Sequence, residues 1–326
     1  MFHHILLAAA FVIGAVPVSA QSFGTLSGDA PLAIAHRGAS AYLPEHTLAG
    51  YELAIRMRAD IVEPDVQLTA DGALVAMHDT ELTRSTDVAS IFAPRNGGYN
   101  VSDFTLAEIK TLTVTPTGPA STSYPGFTPS NPDAFKVPTL SEVLDLVTAH
   151  NATSGDAIGV YPESKTPNRP ELSRKIVDAL NDAGFTTAEQ RTYLQSFSHA
   201  GAQEMAHYQS TLGMDLAVVA LGAAVGDKGA FGVLDYTTDR TSSLEALSQF
   251  AGGVGVSLDS PSLTEDFIKS AHAHGLEVHG WTFRPNSIAE ARARFTQYFA
   301  MGMDAVFTDY PDLAVQVRSE FAESIR

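Results

Sequence analysis

The chain has 326 residues, no cysteine and a formal net charge of −17. That length supports one large domain with a substantial core, and the missing cysteines exclude disulfides and a lipid-modified cysteine behind a leader. The surplus acid argues against nucleic acid as a partner, because a phosphate backbone demands lysine and arginine.

Residues 1–20 read as a secretory leader. An apolar run at 5–16 is followed by Val18-Ser19-Ala20 before Gln21, small residues that suit cleavage after Ala20. His3 and His4 stand where lysine or arginine is usual, so an uncleaved anchor is the alternative. The run is shorter than the ~20 residues a span needs. The expectation is an exported protein, periplasmic or secreted, with no stable membrane span after cleavage.

A loose polar arm at 21–31 precedes a strand at 32–35 that ends on His36-Arg37-Gly38. A helix follows at 46–58, with apolar positions at Leu48, Tyr51, Leu53, Ala54, Ile55 and Met57. A second strand, 60–66, carries Glu63 and Asp65. The turn Thr69-Ala70-Asp71-Gly72 leads into a return strand, 73–77, ending on His78-Asp79; Asp-Gly between apolar runs cues a hairpin. Residues 84–137 then break the rhythm with Pro94, Gly97-Gly98, Pro116, Pro119, Pro125, Pro129 and Pro132. One helical patch, 102–112, can be capped by Ser102 or Thr105. So long an irregular segment in a compact domain is functional or disordered as a rule, and its place just after His78-Asp79 suggests an excursion on the active-site side.

Alternation resumes at Thr139. Strands are expected at 157–161, 192–197, 215–221, 253–258, 276–283 and 304–308, with a glycine-rich loop from 222 through Gly232. Helices are expected at 140–150, 171–184, 200–212, 243–250, 265–274, 288–301 and 311–324. Counting the hairpin with its strand gives eight strand–helix units, hence a parallel sheet and a (β/α)8 barrel. An open doubly wound sheet would need a glycine-rich phosphate loop opening a helix, and no GxGxxG follows an early strand.

His36, Glu63, Asp65, Glu163, His199, Trp281 and Asp309 fall at or near strand C-termini, the catalytic face of a barrel. Strand side chains alternate, so Glu63 and Asp65 share a face. Two carboxylates there need a cation or tight hydrogen bonds. With Glu163 they form an all-oxygen set suited to Ca²⁺ or Mg²⁺ rather than zinc; the alternative is a buried ion pair with Arg37. His36 and His78 are candidates for acid and base, since imidazole changes charge near neutrality. Arg37 offers a planar fork for phosphate; Lys165, two residues after Glu163, either balances phosphate charge, pairs with a ligand carboxylate or is solvated. Glu45 either orients a catalytic histidine or is a helix N-terminal carboxylate. Trp281 and Phe197 either wall the substrate or belong to the core. His199, His272, His274 and His279 are taken as structural, His199 being the candidate exception.

AHRGAS, LPEHT, VEPDVQLT, MHDTELTRSTDV, YPESK and VFTDYPD closely resemble the glycerophosphodiester phosphodiesterase family, especially its exported bacterial branch. The resemblance runs from Leu32 to about Val317. It implies a (β/α)8 barrel with an inserted subdomain after the second strand unit. It implies His36 and His78 as acid–base pair, Arg37 as phosphate binder, and Glu63, Asp65 and Glu163 as ligands of one divalent cation, Ca²⁺ by the branch and Mg²⁺ otherwise, with Lys165 nearby. His46 stands where many members have asparagine. The implied reaction is substrate-assisted: a glycerol hydroxyl attacks phosphorus, a cyclic glycerol phosphate forms, and water opens it. Rival readings are a lysophospholipase D or sphingomyelinase-D-like enzyme, and a non-catalytic secreted metal- or phosphate-binding module.

Overall fold

Eight parallel strands close on themselves. In the computed structural model, which describes residues 22–165 and 169–325, β1 is Leu32–His36 and β2 is a single barrel strand in two stretches, Ile61–Glu63 and Asp65–Leu68. The third strand, β3, is likewise split into Gly159–Val160 and Glu163–Ser164. Pro64 and Pro162 cause the breaks, because proline has no N–H for the ladder; their carbonyls still accept from Glu163 and Gln195. Then follow β4 (Tyr193–Ser196), β5 (Ala217–Asp227), β6 (Gly253–Ser257), β7 (Glu277–Phe283) and β8 (Ala305–Thr308). Closure is explicit in the register: β1 pairs β2 through His36 and Glu63, and β8 through Leu32 and Ala305. The leader expected at residues 1–20 lies outside the described residues.

Each barrel strand is followed by a helix: α1 (Leu48–Arg56), α2 (Leu140–Ser154), α3 (Pro170–Asp182), α4 (His199–Thr211), α5 (Leu244–Leu247), α6 (Glu265–Ala273), α7 (Ile288–Ala300) and α8 (Pro311–Ser324). Side-chain oxygens start most of them. Thr47, Thr139, Ser198, Ser243, Thr264 and Ser287 accept from the first turn, satisfying N–H groups that have no partner within the helix. None of the helices among the described residues is long and apolar enough to cross a membrane.

Period two sorts every strand. Ala33, Val62, Val160, Val218, Val254, Val278 and Val306 pack outward against the helices, while Ile34, Ile61, Tyr161, Tyr193, Val219, Leu221, Ala305 and Phe307 fill the barrel. The next inward positions toward the C-terminal rim are His36, Glu63, Glu163, Gln195, Trp281 and Asp309. The alternation that packs the interior therefore also lines up the polar groups.

Two expectations change. The glycine-rich stretch after residue 221 is an antiparallel ribbon, not a loop: β5 runs on to Asp227, pairs with Ala230–Asp235, and that pairs with Arg240–Ser243. Its glycines serve close approach, since a Cβ on Gly222 would sit 2.0 Å from the Leu234 carbonyl oxygen. The 102–112 patch is a single turn, Leu106–Ile109, capped by Thr105 with a reciprocal bond from Glu108. The segment around it has its own apolar cluster, in which Leu82, Val88, Phe104, Ile109, Leu112 and Val114 join Val75, Met77 and Val137.

Candidate active site

Three carboxylates from two adjacent strands meet at the rim. Glu63, Asp65 and Glu163 each offer an oxygen, and these oxygens lie within 4.8 Å of one another. All three side chains are buried, at 1%, 1% and 6% exposure. Packing like charges this tightly is costly unless a cation or protons compensate. Burial and the facing carboxylates push Glu63 well above the usual carboxylate range and Glu163 up to about 7. Asp65 is held well below it despite its burial, because Lys165, Arg37 and His46 surround it. Such a dry all-oxygen set fits a hard divalent ion.

The resident cations only partly balance the cluster. Lys165 Nζ lies 2.9 Å from Glu163 Oε1 and 3.6 Å from Asp65 Oδ1. Arg37 donates its backbone N–H to Glu63 Oε2 at 2.9 Å. Its Nε lies 3.2 Å from Asp65 Oδ2 but is out of line for a hydrogen bond and is left buried without an acceptor. The Arg37 pairing expected as an alternative to a metal site is thus present, yet it leaves Nε without an acceptor, while Nη1 reaches Glu45 Oε1 at 3.4 Å. Arg37 has φ +59° and Gly38 φ +86°. A Cβ on Gly38 would come within 2.8 Å of the Gly50 carbonyl carbon, so glycine is required for the turn that aims Arg37.

Each candidate acid–base histidine is held in the same way. His36 Nδ1 lies 2.6 Å from Asp309 Oδ1, and Arg284 Nε donates to Asp309 Oδ2 at 2.6 Å. His78 Nδ1 lies 2.5 Å from Asp79 Oδ1, and Arg84 Nε donates to Asp79 Oδ2 at 2.5 Å. An ionised carboxylate only accepts, so both rings carry their proton on Nδ1 and keep Nε2 free. Burial lowers the pKa of both imidazoles, with Arg37 adding to the effect; His78 is pulled down to about 4. Glu45 reaches His78 only through Arg84, which donates to both its oxygens at 2.6 and 2.9 Å and to Asp79. Thr117, from the 84–137 segment, donates to Glu45 at 2.9 Å.

A cavity of about 310 Å³ gathers His36, Arg37, Glu63, His78, Glu163 and Lys165, with Phe197 and Trp281 as its wall. Asp65 lies just beneath, and Glu45 lines an adjoining space with Arg84 and Thr117. His199 is structural: its ring contacts Ser242 Oγ and the Leu221 carbonyl oxygen. Sequence reasoning missed four members, among them Arg284, which holds Asp309. Gln195 donates to Glu63 Oε1 at 3.2 Å; its place two residues before Phe197 on one strand was the available signal. Arg84 lies five residues past Asp79, in a stretch read only as the start of a loop. His46 donates from Nε2 to Asp65 at 2.8 Å while Tyr51 O–H donates to its Nδ1 at 2.8 Å, which nothing in the sequence spacing announced.

The family model for glycerophosphoryl diester phosphodiesterases matches residues 36–313. The chain is 30% identical to a glycerophosphodiester phosphodiesterase of Haemophilus influenzae, covering 95% of this chain and 96% of that one. It is 33% identical to one of Bacillus subtilis, covering 94% and 92%. A phosphodiesterase of Oleispira antarctica superposes with a TM-score of 0.61 at 22% identity, covering 90% of this chain and 99% of that one, a likeness of fold. Barrel, site and relatives together define a phosphoric diester hydrolase. The chain belongs to the glycerophosphoryl diester phosphodiesterase family.

Proposed function

We propose that this enzyme hydrolyses glycerophosphodiesters such as glycerophosphocholine and glycerophosphoethanolamine to sn-glycerol 3-phosphate and an alcohol. The observation that carries the reading is the convergence of His36 and His78, each with a free Nε2, on one cavity with Arg37, Glu63 and Glu163, Asp65 being grouped with those two carboxylates. The O. antarctica neighbour was solved with the product sn-glycerol-3-phosphate, which fits this substrate class.

Glu63, Asp65 and Glu163 would hold one divalent cation in this reading, Ca²⁺ in preference to Mg²⁺ as the resemblance to the exported branch implies. Bound there, the ion supplies charge neutralisation for the phosphate. Arg37, which lines the cavity, grips a phosphate oxygen, and Lys165 adds positive charge. One imidazole takes the proton of the glycerol hydroxyl next to the ester as that oxygen bonds to phosphorus. The other, protonated, gives its proton to the departing alcohol oxygen as the P–O bond breaks. Water then adds to the cyclic phosphate with the two rings in reversed roles, leaving the monoester.

The leader at residues 1–20 supports export to the periplasm or beyond. The separate apolar cluster of residues 84–137 supports an inserted subdomain that carries Thr117 to the rim. The test is release of choline from glycerophosphocholine, with glycerol 3-phosphate as co-product, compared with release of choline from lysophosphatidylcholine, with a lysophosphatidic acid as co-product. The reading expects turnover of the first and little of the second. Preference for the lysolipid would assign a lysophospholipase D activity, and no turnover of either would leave a binding module.

A further inference from the structure

The cleft has an aromatic corner that phosphoryl chemistry does not require. Phe197 and Tyr236 stack at 5.7 Å with 11° between their planes, and both stand nearly perpendicular to Trp281, at 84° and 88°. Tyr236 is 50% exposed, so part of its ring surface is open to a ligand. It is also rigidly held. It follows the middle strand of the ribbon, and the Asp235 carboxylate beside it accepts from Thr237 N, Thr237 Oγ1, Thr238 N and His199 N at 2.6–3.1 Å.

The charges around the corner point the same way. The cations lining the cleft on this side are engaged: Lys165 by Glu163 and by the Phe197 ring face, 5.7 Å from its Nζ, Arg284 by Asp309, Arg294 by Glu290 at 3.8 Å. Asp259, which lines the cleft and is exposed, forms no ion pair among the described residues. Aromatic faces attract cations, most strongly when the cation is weakly hydrated. A nearby free carboxylate adds long-range attraction.

We infer that Tyr236 and Trp281, with Phe197 stacked on Tyr236 and Asp259 at the rim, form a head-group subsite for a quaternary ammonium cation of the choline type. This rests on the diesterase reading, because it places the phosphate at Arg37 and the head group across the cleft. A primary ammonium is better served by water or hydrogen-bond acceptors than by ring faces, so the subsite ranks glycerophosphocholine above glycerophosphoethanolamine and above glycerophosphoglycerol, whose head group carries no charge.

Trp281 is the only tryptophan, so its fluorescence reports on this corner alone. Choline and tetramethylammonium should each give a saturable change in emission, while 3,3-dimethylbutan-1-ol, the neutral isostere of choline, should give none in the same range. Tyr236→Ala should weaken tetramethylammonium binding about 3- to 30-fold and lower the kcat/KM ratio of glycerophosphocholine to glycerophosphoglycerol by a similar factor. Tyr236→Phe should retain both, and Asp259→Asn should reduce both without touching an aromatic ring. An equal response to choline and its neutral isostere, or an unchanged substrate ratio in Tyr236→Ala, overturns the subsite. If the wild type binds choline at Trp281 but cleaves no diester, the diesterase reading fails while the subsite stands; cleavage with no fluorescence response is the reverse.

Discussion

At the scale of single residues, the site works by holding side chains in one state. Two Arg–Asp–His chains, Arg284–Asp309–His36 and Arg84–Asp79–His78, fix the tautomer of both rings. His36→Ala and His78→Ala should each lower kcat/KM by two to four orders of magnitude with unchanged thermal stability; full turnover in either would remove that ring from the chemistry. The pH dependence follows from burial. A histidine whose pKa is lowered stays neutral, and so able to take a proton, at lower pH than the free side chain with its pKa near 6.5. The acid limb of kcat/KM should therefore lie below pH 6.5, near 4 where His78 is the base. An acid limb at 6.5 or above would contradict this. His36, Glu63, Asp65 and His78 were legible because strand-end position and period two need only the chain itself. His46 was not, because its role depends on a φ of +53° that turns the ring under Asp65.

At the scale of elements, the turn after β1 matters most. His36, Arg37 and Gly38 leave the strand, Arg37 and Gly38 at positive φ, and α1 begins with Thr47, which accepts from Gly50 N–H at 3.0 Å and donates to Pro44 O at 2.7 Å. Thr47→Ala should cost about 1 kcal/mol of stability, read from the shift in denaturant midpoint. Gly38→Ala should cost more, about 1–3 kcal/mol, and lower activity as well, because the backbone must move where Arg37 is aimed; an unperturbed midpoint would show that the turn tolerates a Cβ. Alternating strands and helices were readable from apolar periodicity, and Thr105, Thr139 and Ser198 act as caps. The ribbon after residue 221 was not readable. Gly222, Gly226, Gly229 and Gly232 signal a loop in sequence, and only the partner strands show that Gly222, Gly226 and Gly232 make room for neighbouring backbone.

At the scale of the whole molecule, closing the barrel turns local alternation into a site. Residues as far apart as His36 and Asp309 become neighbours because β1 pairs with both β2 and β8. The eight-unit count was enough to expect closure, but the packed cluster within 84–137 was invisible behind its prolines and glycines. Closure also concentrates negative charge at one rim, so ion binding should be linked to folding. At about 100 times its Kd, a divalent ion that binds only the native state stabilises by roughly 2.7 kcal/mol. Ca²⁺ should raise Tm in the wild type and leave the double variant Glu63→Gln, Asp65→Asn unmoved. The most direct measurement combines these threads: the initial rate of glycerol 3-phosphate release from glycerophosphocholine, after chelation and after Ca²⁺ is returned, in the wild type and in that double variant. Loss of turnover on chelation, with recovery on Ca²⁺ in the wild type alone, is the predicted result. Undiminished turnover in chelator, or equal recovery in both proteins, would contradict it.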